Sequence, residues 1–130
     1  MALTICGLVP LLEVFDLPTS VAFYRDVLGF ELVAGDESWW CMLKFGETSL
    51  MLNTAYEHDE RPPVPEPPRA RAHADTSLYF SSTDLDGVYE HLRTKGWSVT
   101  APTVTSYGMR QVSTKDPDGF QIYFHAASAA

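Results

Sequence analysis

The chain has 130 residues and a mass of 14.5 kDa, the size of one domain or of two small repeats. Hydrophobic residues make up 45% and charged residues 20%, which is typical of a globular protein and excludes a disordered chain, and no apolar run is long enough for a membrane helix. Residues 1–60 hold ten acidic and two basic side chains and so carry the whole net charge of −8, which excludes a basic nucleic-acid surface. Solubility is the explanation that this asymmetry favours, and the steering of a cationic ligand toward the first half is the alternative.

The first twelve residues are uncharged and include neither a basic segment nor a clear small-residue cleavage site, so we do not expect a signal peptide there. The two cysteines, Cys6 and Cys41, are too few for a disulfide framework and are typical of a reducing compartment. The sequence therefore favours a cytoplasmic protein.

The first half of the chain predicts one helix and four strands. Asp16 has the position of a helix cap, Val21, Tyr24 and Leu28 form an apolar stripe at helical spacing, and Gly29 ends the helix. After the helix the apolar period changes from 3.6 to 2, which indicates strands and a hairpin that turns at residues 46–47. The predicted strands are residues 8–14, 30–33, 39–45 and 48–53.

A proline-rich segment follows, because five of the nine prolines lie between Arg61 and Arg69. Proline fixes φ and donates no backbone hydrogen bond, so the segment is predicted to be an extended connector outside the sheets. A ligand for an SH3-type domain is the alternative.

The second half repeats the pattern of the first. Asp84 is a predicted cap, the stripe from Leu85 to Leu92 predicts a helix, and Gly96 ends it. A hairpin turn is predicted at residues 116–119, with Gly119 in the left-handed conformation. The predicted strands are residues 77–80, 97–99, 109–115 and 120–125.

The order of elements in each half is therefore β-α-β-β-β, and the fold class is α+β. One half could not bury its sheet face alone, so the two modules are expected to pair into a strongly curved sheet around a cleft, with the helices outside. We assign residues 1–56 to the first module, 57–75 to the linker and 76–130 to the second module of a single domain, 1–130.

Strand alternation predicts which side chains line this cleft. Apolar residues such as Leu50, Leu52 and Ile122 should pack under the helices and leave their neighbours facing the cleft. Either Trp39 or Trp40 should join them, with Tyr107 and Arg110 from the second half. The candidate ligand-binding residues are Glu13, Trp39, Trp40, Met51, Asn53, Tyr79, Tyr107, Arg110, Tyr123 and His125. Aromatic walls with a few polar groups are typical of a site for an organic ligand, although the aromatic residues could instead fill the interior.

Three segments carry a resemblance to a known family: residues 16–30, residues 84–96 and the Asp-Pro-Asp-Gly-Phe sequence at 116–120. Together they resemble the vicinal oxygen chelate superfamily, which includes glyoxalase I, extradiol dioxygenases, fosfomycin-resistance transferases and bleomycin-resistance proteins. The resemblance covers nearly the whole chain and implies the paired-module fold.

The resemblance also implies four metal-ligand positions, which in the enzymes of the family hold His, Gln or Glu. In this sequence they correspond to Val9, Met51, Ser77 and Tyr123, and none of these side chains suits a divalent cation. Three histidines, His58, His73 and His91, are predicted to be exposed or to lie away from the cleft. We therefore expect neither a metal ion nor another cofactor, and the unfilled ligand positions speak against an enzyme without excluding one.

Among members of the family, the sequence resembles the metal-free bleomycin-resistance type most. This implies a homodimer with the cleft at or near the interface, in which the opening strand could exchange between subunits. The predicted function is the sequestration of a hydrophobic, antibiotic-like small molecule, for which the acidic charge favours a cation; no nucleic-acid or membrane partner is expected. The alternatives are a glyoxalase-like lyase or isomerase, a dioxygenase-related enzyme, or an interaction domain.

Overall fold

The computed structural model describes residues 2–57 and 60–127, so His58 lies outside the described residues. The chain divides into two compact units, residues 1–61 and 62–130. The elements are β1 (Leu11–Val14), α1 (Leu17–Ala22), β2 (Glu31–Gly35), β3 (Trp40–Phe45), β4 (Thr48–Thr54), α2 (Pro67–His73), β5 (Ser77–Ser81), α3 (Leu85–Thr94), β6 (Thr103–Val104), β7 (Met109–Lys115) and β8 (Gln121–Ala127). Among the described helices, none has both the length and the apolar character needed to cross a membrane.

The first unit is a four-stranded sheet in the order β1-β4-β3-β2, in which β1 and β4 are parallel. As predicted, Asp16 caps α1, because its carboxylate accepts the backbone N–H of Thr19. A single π-helical segment, Phe23–Val27, extends α1, and Gly29 follows it with φ of +94°. Buried apolar residues of α1, β1 and β4 form the core of this unit.

The second unit repeats this topology with the strand order β5-β8-β7-β6. Asp84 caps α3 through the backbone N–H of Gly87, at 2.9 Å. The turn at residues 116–119 is as predicted: Gly119 has φ of +91°, and the Asp116 carboxylate accepts the N–H groups of Asp118 and Phe120. The α+β fold of two tandem βαβββ modules is therefore confirmed.

The second strand of the second module differs from the prediction. Residues 97–99 form no strand, and the edge strand of the sheet is the short β6. Thr100 contacts Ser113 of β7 through two hydrogen bonds. The backbone N–H of Thr100 donates to the carbonyl oxygen of Ser113 at 3.0 Å, and the hydroxyl oxygen of Thr100 accepts the backbone N–H of Ser113 at 3.0 Å. Because the Thr100 side chain accepts the Ser113 N–H that the backbone of a neighbouring strand would otherwise accept, a regular strand ladder does not form here.

The proline-rich segment also differs, because part of it is helical. Pro67 and Pro68 begin α2, where the missing N–H groups have no intrahelical partner in any case. The prediction that His73 is exposed was wrong: it is only 9% exposed, and its ring stacks on Phe120 with a centroid distance of 4.0 Å. Its Nδ1 lies 2.6 Å from the carbonyl oxygen of Asp118, which anchors α2 to the hairpin turn.

Candidate functional site

Each sheet has one face that packs against the helix of its own module and one face that turns away from it. In β1, β3, β4 and β7, buried residues alternate with exposed or half-buried ones, and in β5 half-buried residues alternate with exposed ones. In the first unit the outer face carries Leu11, Glu13, Glu31, Trp40, Met42, Lys44, Ser49, Met51 and Asn53. In the second unit it carries Ser77, Tyr79, Ser81, Gln111, Ser113, Lys115, Gln121, Tyr123 and His125.

The outer face of the first unit combines an apolar centre with charged groups, namely the carboxylates of Glu13 and Glu31 and the ammonium group of Lys44. Asn53 on β4 lies between Glu13 on β1 and Trp40 on β3 in the strand register. Trp40 alternates with the fully buried Cys41 and therefore belongs to this face, whereas Trp39 precedes β3. The sequence left open whether Trp39 or Trp40 faces this side of the sheet, and the structure places Trp40 there. Trp39 contributes its backbone carbonyl oxygen, which accepts the N–H of Thr54.

The outer face of the second unit holds a cluster of stacked aromatic rings. Tyr79 and Tyr123 are direct neighbours on β5 and β8, with ring centroids 4.6 Å apart and planes inclined by 7°. The ring of His125 meets Tyr79 edge-on, at 5.3 Å and 79°. Tyr79 remains 50% exposed, so its ring is open to a ligand.

Tyr107 is 70% exposed and lies in the turn that precedes β7. Partial burial raises the pKa of Tyr79, and the phenol groups of Tyr123 and Tyr107 raise it further. The Tyr79 phenol consequently stays neutral near pH 7 and can donate a hydrogen bond to a ligand.

Arg110 is a predicted site residue that the structure does not bring to the aromatic face. In β7 it alternates with Gln111 and shares the helix-facing side with Val112. Its Nη2 lies 3.4 Å from the Asp86 carboxylate of α3, on that same side of the sheet. Its guanidinium group therefore pairs within the helix layer.

Three residues of β7, namely Gln111, Ser113 and Lys115, belong to the outer face and were missed by the prediction. The Oε1 atom of Gln111 is buried and has no hydrogen-bond partner in the described part of the chain. Ser113 and Lys115 also line a groove of about 580 Å³. The alternation of buried and outward-facing side chains, which was used to assign the residues of β8, would also have identified these three residues in β7.

The four positions that the family resemblance assigned to metal ligands can be tested against the strand register. Leu11, rather than Val9, lies opposite Met51, and Tyr123 lies opposite Tyr79. An aliphatic group, a thioether and phenols do not form a site for a divalent cation, and neither would the Ser77 hydroxyl. Within residues 2–57 and 60–127, no group of three His, Cys, Asp or Glu side chains is placed to hold a metal ion. The residues present therefore do not fit a catalytic metal.

Comparison with known proteins gives both a family and structural relatives. Residues 9–124 match the family model of the Glyoxalase/Bleomycin resistance protein/Dioxygenase superfamily. No curated protein sequence matches the chain.

Three solved structures illustrate the range of similar proteins. A bleomycin-binding protein complexed with bleomycin has a TM-score of 0.74 and 21% identity, over 95% of this chain and all of that chain. TnmS3, an antibiotic-binding protein from Streptomyces sp. CB03234, has a TM-score of 0.73 and 25% identity, covering 98% of this chain and 100% of its own. Lactoylglutathione lyase from Agrobacterium tumefaciens has a TM-score of 0.69 and 20% identity, over 94% of each chain.

Proposed function

The chain belongs to the Glyoxalase/Bleomycin resistance protein/Dioxygenase superfamily, and from this membership we propose that it is a metal-independent protein that sequesters a hydrophobic, antibiotic-like small molecule. The observation that carries the proposal is the cluster of Tyr79, Tyr123 and His125 on an open sheet face. The similarity to TnmS3 and to a bleomycin-binding protein supports a ligand of this kind.

Stacking provides the affinity in this proposal. A planar group of the ligand would contact the exposed face of Tyr79, whose orientation is fixed by its contacts with Tyr123 and His125. Aromatic pairs contribute about 0.5–1.5 kcal/mol beyond the area that they bury. A rigid pair of rings also loses little side-chain entropy on binding, so more of that energy is available for affinity.

The first unit provides a second set of ligand-binding residues in this proposal. Trp40, Met51 and Asn53 offer apolar area and an amide group, and Glu13 offers a carboxylate that would favour a cationic part of the ligand. We further propose that the protein is a cytoplasmic homodimer; the small number of cysteines supports a reducing compartment.

A fluorescence titration with metal-free bleomycin tests the binding function. We expect saturable binding with a Kd below about 1 μM, which corresponds to about −8 kcal/mol. Tyr79→Leu should weaken binding by roughly tenfold, because it removes the stacking surface. The matched control is Tyr89→Leu, since Tyr89 lies on α3 against Arg93 and should not contact the ligand.

A flat titration would remove bleomycin as a ligand, and equal losses in the two variants would contradict the assignment of the site. Metal analysis of protein prepared without chelators separates the binding function from the enzymatic alternative. Stoichiometric nickel, zinc or iron that is lost in a Tyr123→Phe variant would favour a lyase, an isomerase or a dioxygenase instead.

A further inference from the structure

We propose that the groove beside the aromatic cluster binds the carboxylate of an aromatic acid, with Lys115 as its counter-charge. This inference rests on the proposed binding function and specifies the chemical class of the ligand at the second unit. It gives the outer face of this unit a polar recognition site next to the stacking surface.

The groove has a volume of about 580 Å³ and lies along the edge of β7 where residues 97–100 replace a strand. Its walls combine an indole ring, hydroxyl groups, an amide and an ammonium group. The lining residues used in this argument are Trp97, Thr100, Ser113, Lys115, Asp116 and Gln121.

The charge of the groove favours an anion. Lys115 is exposed and forms no ion pair with any described residue, whereas Arg69, Arg93 and Arg110 of the same unit each pair with a carboxylate. The groove also contains Asp116, but this residue is only 4% exposed and its Oδ1 accepts two backbone N–H groups of the turn. A ligand would therefore meet the positive charge of Lys115 at the surface.

The neutral groups of the groove include hydrogen-bond donors for a carboxylate. The hydroxyl oxygens of Thr100 and Ser113 lie 2.8 Å apart, and the Thr100 hydroxyl also lies 3.4 Å from the carbonyl oxygen of Ser113. When Thr100 donates to the Ser113 hydroxyl oxygen, the Ser113 hydroxyl proton remains for a ligand. The half-buried Gln121 lies directly opposite Lys115 in the strand register and contributes an amide N–H.

The groove lies within reach of the aromatic cluster. Ser113 is the cross-strand neighbour of Tyr123, and Lys115 follows two residues later on the same face. Neighbouring strands are about 4.8 Å apart and two residues of a strand span about 7 Å, so the Cα atom of Lys115 lies about 8 Å from that of Tyr123 and about 12 Å from that of Tyr79. A lysine side chain and a fused two-ring ligand together span such a distance. A planar ligand stacked on the tyrosines can therefore place an attached carboxylate beside Lys115.

Calorimetric titration of the full chain with 2-naphthoate and with its neutral analogue 2-naphthamide tests this proposal. At low ionic strength we expect the acid to bind roughly fivefold more tightly than the amide, and added salt to reduce this preference. Lys115→Met should abolish the preference, while Lys115→Arg should retain it. Lys95→Met is the matched control, because Lys95 follows α3 in the same unit and does not line the groove.

Equal binding of acid and amide by the unmodified protein would overturn the assignment of the groove and leave the stacking function intact. A preference for the acid that survives in Lys115→Met would overturn the role of Lys115. If neither compound binds, both this proposal and aromatic binding at the second unit are wrong. Acid-selective binding that is lost only in Lys115→Met would support the proposal.

Discussion

Gln111 places an unsatisfied hydrogen-bond acceptor on the outer face of the second unit. Its Oε1 is buried without a hydrogen-bond partner among the described residues, although Gln111 lies directly across from His125 on the outer face. A buried acceptor without a partner costs about 1–3 kcal/mol, and such atoms are uncommon in folded proteins. The free energy of unfolding should therefore be lower with Gln111 than with an apolar side chain of similar shape at this position.

From this we predict that Gln111→Met stabilises the protein by about 1 kcal/mol, because methionine has a similar shape and no unsatisfied acceptor. Thermal unfolding followed by circular dichroism measures the change. Gln121→Met is the control on the same face: Gln121 has no such buried atom among the described residues, so its replacement should be nearly neutral. A lower Tm for Gln111→Met than for the unmodified protein would mean that the acceptor is already satisfied.

At the scale of elements, the start of α1 combines a cap with an ion pair. One oxygen of Asp16 accepts the N–H and the hydroxyl of Thr19, and the other lies 2.6 Å from Nη1 of Arg61. The hydrogen bond from the Thr19 hydroxyl is the main reason that the pKa of Asp16 falls below its ordinary value of 3.8; partial burial opposes this effect and Arg61 adds to it.

We predict that Asp16→Ala lowers the free energy of unfolding by about 1 kcal/mol at neutral pH, through loss of the cap. Because the pKa of Asp16 is lower in the folded than in the unfolded state, its contribution is present above pH 3.8 and is lost as the pH falls through the folded-state pKa. The difference between the two proteins in urea unfolding should therefore shrink in acid. Asp26→Ala, at an exposed position, should cost much less at every pH, and an unchanged difference in acid would contradict the role of the charge.

The elements that the sequence predicts well are those with local signals. The caps at Asp16 and Asp84 and the turn before Gly119 depend on neighbouring residues alone, and all three are confirmed. The strand predicted at residues 97–99 does not form. Thr100 instead forms hydrogen bonds with the backbone N–H and carbonyl groups of Ser113, thirteen residues away, through its hydroxyl oxygen and its backbone N–H. No local pattern reports such a contact.

The sequence predicts the residues of the candidate site in those strands where the alternation of side chains was used to assign them to a face. Phase in β5 and β8 identifies Tyr79, Tyr123 and His125, which the structure brings together. Arg110 was chosen, together with Tyr107, for its place near the hairpin at 116–119, and the alternation of side chains in β7 places it on the helix side of the sheet instead. The groove could not be predicted, because it exists only where residues 97–100 leave the sheet.

For the molecule as a whole, the uneven charge of the sequence has a counterpart in the two sheet faces. Residues 1–60 carry the entire net charge of −8, and the outer face of the first unit includes the carboxylates of Glu13 and Glu31 beside the ammonium group of Lys44. Residues 61–130 are neutral overall, and the outer face of the second unit includes the Lys115 ammonium group. The two units are alike in topology, but the groups that they offer to a ligand differ in charge.

The proposed homodimer predicts a sedimentation mass of about twice 14.5 kDa. In residues 2–10, Leu3, Ile5 and Leu8 are 84%, 75% and 89% exposed, and burial against a second copy would contribute about 1.5–3 kcal/mol for each side chain. Replacing all three with serine should shift the equilibrium toward monomer, whereas Val64→Ser, at an exposed position in the proline-rich segment, should not. A monomeric mass for the unmodified protein at micromolar concentration would contradict the dimer, and a dimer that persists in the triple variant would exclude these residues from the interface.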